Sequence, residues 1–160
     1  MHMMDPVKEL REVASEFRLE LASPEAVVDV AWRLVDALSG NEPLVELTGA
    51  ESTRADVGPL LRKALEWEGF NWPSEEEAGK WVALKISGAI VEGILDPVEG
   101  ARTIWWNIIE TVPTLRSQFM DFVALASEWE DDVAHRREYE AGIREVATAT
   151  IRMLSEERTS

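Results

Sequence analysis

The chain has 160 residues, with 31 acidic residues against 16 lysines and arginines, a formal net charge of −15, and no cysteine. That composition excludes disulfides and thiolate metal sites, and it disfavours nucleic-acid backbones and anionic membrane surfaces, both of which attract lysine and arginine. A chain this long is expected to form one domain and to bury roughly 70% of the surface its unfolded form exposes.

No run reaches the ~18 apolar residues of a membrane span. Met1-His2-Met3-Met4 reads as a leader or alternative start, and no basic region followed by an apolar core marks a secretory signal. A cytoplasmic protein is expected, with one helical domain over residues 5–155 and a frayed tail over 156–160.

Asp5-Pro6 opens the first helix, since aspartate caps and proline suits the first turn. Val7, Leu10, Ala14, Phe17 and Leu21 make its apolar stripe. Glu9, Glu12, Glu16 and Glu20 make a second stripe. Like charges at this spacing repel one another, and the stripe reads as a solvated face or as a docking face for a basic partner.

Ser23-Pro24-Glu25 starts a second helix by the same device, with Val27, Ala31, Leu34 and Leu38 inward, Trp32 expected in the core beside them, and Gly40 as the stop. Asn41 to Ser52 is weakly patterned. Leu44 to Leu47 reads as a short helix or an extended piece, and Leu34 to Thr53 holds four acidic residues and no basic one. Glu42 and Glu46 are candidate contacts there. A third helix is expected from about Arg54 to Glu68, capped by Thr53 or Asp56, with Glu66 and Glu68 as further acidic candidates. Phe70 and Trp72 then plug one end of the bundle or anchor a partner.

Ser74 and Glu77 form a capping box, and Glu75 and Glu76 suit the helix dipole, so this glutamate run has a structural explanation. The central stretch follows. Trp81 to Leu95 carries only Lys85 and Glu92 as charges, which predicts a helix surrounded by protein. Gly79, Gly88 and Gly93 each cost roughly 1 kcal/mol against alanine in a helix interior, and close approach of a neighbour is the expected return.

Asp96-Pro97-Val98-Glu99 starts the fifth helix, which buries Val98, Ala101, Trp105, Ile108 and Val112. Trp106 and Ile109 lie to one side. They form either a broader core contact or an exposed apolar edge suited to a partner or a homodimer. Leu115, Phe119, Phe122, Ala126 and Trp129 define the sixth helix. Glu130-Asp131-Asp132 reads as a turn and cap, and the last helix turns Tyr139, Ile143, Val146, Thr150 and Leu154 inward. The expected fold is therefore all-α, a bundle of about seven helices around a buried central helix at about 81–95.

No chemistry is spelled out by a diagnostic motif. Glu128, Asp131 or Asp132, and His135 fall on one side of a continuous helix and would suit manganese, iron or zinc, but a second histidine ligand is missing. Glu9-x-x-Glu12 and Glu128-x-x-Asp131 resemble the magnesium-holding pairs of helical nucleotide pyrophosphohydrolases, which would imply a metal-dependent all-α hydrolase. Gly88 to Gly93 lies inside an apolar helix, so it does not read as a phosphate loop. The favoured expectation is a non-catalytic, cofactor-free interaction protein that binds a basic protein partner, concretely a bacterial toxin-immunity or antitoxin-like role. Its candidate contacts are Glu12, Glu16, Glu20, Glu42, Glu46, Glu66, Glu68, Trp72, Trp106 and Ile109.

Overall fold

Helix starts follow the capping chemistry. In the computed structural model, which describes residues 5–159, Asp5, Ser23, Thr53 and Asp96 each accept a backbone N–H through the side chain and open α1 (Pro6–Arg18), α2 (Pro24–Leu34), α4 (Arg54–Trp67) and α6 (Pro97–Thr103). Ser74 Oγ accepts from Glu77 N at 3.1 Å ahead of α5 (Glu75–Val91). Asn41 opens α3 (Glu42–Thr48), so the short helix is the outcome in the weakly patterned stretch. A π-helix (Ile104–Ile109) continues α6, and short 3-10 turns precede α7 (Arg116–Asp131) and α8 (Arg136–Thr159). Among the described residues there is no strand, and the fold is all-α.

The chain divides into two compact units, the first ending at Ala78 and the second starting at Gly79. In the first, α1 to α4 enclose Leu10, Phe17, Val27, Leu34, Leu44, Leu47, Leu61 and Leu65. Trp72 meets Phe17 edge-on with ring centroids 6.4 Å apart, so its ring belongs to this core's margin. In the second, α6, the π-helix, α7 and α8 pack together, burying Ile104, Ile108, Phe119, Phe122 and Ile143.

Three expectations change, and one open alternative is decided. The helix at the central stretch ends at Val91 rather than Leu95: Val82, Ala83, Ile86 and Ile90 are buried, whereas Val91 and Ile94 are exposed where the chain turns through Gly93. Trp32 is 61% exposed, because Val27, Val30, Ala31 and Leu34 already fill the inward face of α2. The acidic stripe on α1 is not one solvated face, since Glu12 is only 7% exposed and α1 stops at Arg18, leaving Glu20 in a left-handed conformation at φ 64°. Of the two alternatives for Ile109, the core contact holds: it is 1% exposed, so it forms no apolar edge and is not a partner contact.

A π turn accounts for the burial of Ile109. Glu110 N donates to Trp105 O across five residues at 3.2 Å, the mark of a π turn. A wider turn returns the fifth residue, rather than the fourth, to the same side. Ile104, Ile108 and Ile109 can then all enter the core, while Trp106 stays 53% exposed.

The glycines divide by role. A Cβ on Gly79 would sit 2.5 Å from Leu115 Cδ1 and 3.3 Å from Ile108 Cγ2, whereas one on Gly88 would meet nothing within 4 Å. Close approach therefore accounts for Gly79 and not for Gly88.

Candidate functional site

The first unit has one end built around a buried amide. Asn41 Oδ1 accepts from Leu44 N at 3.1 Å, capping α3, while its Nδ2 donates to Ala64 O at 3.0 Å and to Glu68 Oε2 at 2.9 Å. Both the donor and acceptor sides of the amide are thus used, as a fully buried asparagine requires. The result fixes the start of α3 against the finish of α4. The finish of α2 reaches the same place through helical turns, with Leu38 N bonded to Leu34 O and Asn41 N to Leu38 O.

Negative charge gathers in this unit. Up to Ala78 there are 17 acidic and 7 basic residues, a net of −10; from Gly79 onward there are 14 and 9, a net of −5. Asp36, Glu42, Glu46 and Glu51 form no ion pair among the described residues. The nearby arginines are already engaged, Arg33 with Glu9 and Arg62 with Glu66. The carbonyl ends of α2 and α4 add partial negative charge.

Two tryptophans stand at the finishes of those helices, Trp32 on α2 at 61% exposure and Trp67 as the last residue of α4 at 54%. Three other aromatic rings carry one of the chain's own arginines close by: Arg54 lies over Phe17 at 4.0 Å, Arg11 over Phe70 at 4.1 Å and Arg136 over Trp129 at 3.8 Å. Trp32 and Trp67 have no cation over them among the described residues.

The second unit holds a different cluster, at the corner between α7 and α8. Arg102 lies 5.4 Å from the Trp129 ring and 5.8 Å from the Trp106 ring, and its Nη2 donates to Glu130 Oε1 at 2.6 Å. Trp129 Nε1 donates to Glu140 Oε2 at 3.1 Å, and Arg136 Nε to Trp129 O at 3.0 Å. Beside them, Asp132 Oδ2 accepts from the Tyr139 hydroxyl at 2.7 Å and lies 2.8 Å from His135 Nδ1. The Tyr139 hydrogen bond, with the neighbouring His135, holds the Asp132 carboxyl below its usual range, although partial desolvation opposes this. The same bond, together with desolvation and nearby carboxylates, pushes the Tyr139 phenol up to about 12.

Of the acidic residues expected to meet a partner, Glu42, Glu46 and Glu66 are exposed, Glu68 is half-buried on Asn41, Glu16 is half-buried, and Glu20 is exposed beyond the end of α1. Glu128, Asp131 and His135 do not share a helical face, because α7 ends at Asp131 and His135 lies in the following 3-10 turn. Among the described residues no group of three or more His, Asp or Glu is arranged to hold a metal ion. The rings of Trp32 and Trp67 and the amide of Asn41 were not legible as site residues. The free indole faces follow from which helix face is filled, and the amide network follows from contacts distant in sequence. Among the described residues no helix is long and apolar enough to cross a membrane. No family model, curated protein or solved structure matches the chain.

Proposed function

We propose that this is a non-catalytic interaction protein whose acidic N-terminal unit engages a basic protein partner, in the way an immunity protein or antitoxin neutralises a toxin. The observation that supports this most is the set of four carboxylates at Asp36, Glu42, Glu46 and Glu51, none of them in an ion pair among the described residues, in a unit of net charge −10. Unpaired negative charge of this density raises the encounter rate with a cationic surface and discriminates against acidic ones. The exposed carboxylates and aromatic rings of the first unit support this reading, since a neutralising protein works through charge steering and contact area.

Isolation of complexes from the native host at low and moderate salt tests the reading. The expected partner is a basic protein whose association weakens as salt rises. Recovery of an acidic partner, or an affinity indifferent to salt, overturns it.

A further inference from the structure

We propose that Trp32 and Trp67 receive arginine side chains of the basic partner, so that docking takes place at the end of the first unit where α2 and α4 finish and α3 begins. This inference rests on the reading above and gives it a location. Both tryptophans are more than half exposed, and each has carboxylates close to it in sequence: Asp29 and Asp36 about Trp32, where Asp36 forms no ion pair among the described residues, and Glu66 and Glu68 on either side of Trp67, which already meet Arg62 and Asn41. An indole face is the strongest aromatic acceptor of a cation, and adjacent carboxylates add charge complementarity. Arginine suits such a site better than lysine, because its planar head stacks on the ring while its N–H groups reach a carboxylate.

The chain itself uses that arrangement elsewhere. Arg102 lies over the Trp129 and Trp106 rings while its head group bonds Glu130. At Trp32 and Trp67 no cation lies over the ring among the described residues, although Arg62 already meets Glu66. The cation therefore comes from a partner. Trp106 is exposed to a similar degree but already has Arg102 beside it, which makes it a built-in control.

The experiment is fluorine NMR of the full chain labelled with fluorotryptophan. The seven tryptophan signals are assigned by single Trp→Phe substitutions and titrated with a synthetic arginine-rich peptide and its lysine counterpart. The Trp32 and Trp67 signals are expected to shift saturably with the arginine peptide, and less with the lysine peptide, while Trp106 stays in place. Replacing Glu42 and Glu46 by glutamine is expected to weaken binding by about tenfold. If the peptide binds but shifts Trp106 as much as the other two, or shifts neither Trp32 nor Trp67, the location is wrong and the basic-partner reading survives. If neither peptide binds at any salt concentration, both fall. Shifts of Trp32 and Trp67 that follow protein concentration without peptide would mean that a second copy covers them, which also overturns the proposal.

Discussion

Asn41 and Ala64 are joined by a hydrogen bond of 3.0 Å from the buried side-chain amide to the backbone carbonyl, across 23 residues of sequence. One side chain thereby caps α3, satisfies a carbonyl in the last turn of α4 and holds Glu68. Asn41→Ala is expected to destabilise the protein by about 2–3 kcal/mol, combining a lost cap with a buried carbonyl left without its donor. Asn41→Asp keeps an acceptor for Leu44 N but turns a carboxylate toward Ala64 O and Glu68. Burial and the neighbouring charge raise the pKa of the new carboxyl, so this variant is weakest at neutral pH and approaches the parent as pH falls and the group protonates. Urea midpoints measured at neutral and mildly acidic pH check both statements, and a pH-independent deficit for Asn41→Asp would contradict the second.

Gly79 and Gly88 are expected to respond in opposite senses to the same substitution. At Gly79 an added methyl meets Leu115 at 2.5 Å, so Gly79→Ala forces a repacking and costs about 1–2 kcal/mol after the gain in helix propensity. At Gly88 there is open space, so Gly88→Ala is expected to stabilise by about 1 kcal/mol. Denaturant unfolding of the two single variants, with unchanged dependence on denaturant, is the measurement. Stabilisation by Gly79→Ala would show that Leu115 moves at little cost.

Glu20 occupies the left-handed region at φ 64°, where the chain leaves α1 and Leu21 N bonds back to Glu16 O at 2.7 Å. Glycine is the usual residue at such an exit, because a Cβ is strained there. Glu20→Gly is expected to raise stability by up to about 1 kcal/mol, and Glu20→Val to lower it by at least as much. Thermal unfolding of the pair decides, since a simple charge effect would move both variants the same way.

Capping is a local property, which is why the sequence reads well at the helix starts. Asp5, Ser23, Thr53, Ser74 and Asp96 each bond a backbone N–H two or three residues ahead. Asn41 also caps locally, but its partners at Ala64 and Glu68 belong to another helix, and nothing in residues 41–52 announces them. The π turn escapes for a related reason. Ile109 falls off the buried side of an α-helical wheel, and only the wider turn brings it in. Trp32 misleads because a large ring beside an apolar stripe reads as core, whereas whether that helix face is covered depends on neighbours. For the candidate site, the acidic stretch from Leu34 to Thr53 is visible as composition. The indole faces beside it emerge only once the filled side of each helix is known.

Tyr139 and Asp132 give the last prediction, and the composition makes it clean to measure because Tyr139 is the only tyrosine. The phenol is pushed up to about 12 by its hydrogen bond to the Asp132 carboxylate and by nearby negative charge. A group whose folded pKa is raised contributes stability in full below its unfolded value of about 10, and that contribution is lost as pH rises through about 12. Asp132 has the opposite sign: its carboxyl is held below 3.8, so its contribution is present above that value and lost as pH falls further. The corner between α7 and α8 is therefore held by this bond across the whole neutral range and loosens at both extremes. Tyrosinate absorbance of the folded protein should titrate near 12 and fall toward 10 in Asp132→Ala, while Tyr139→Phe should bring the Asp132 carboxyl back toward 3.8 by NMR titration. A parent phenol that titrates near 10 would show that the Tyr139–Asp132 bond does not persist in solution.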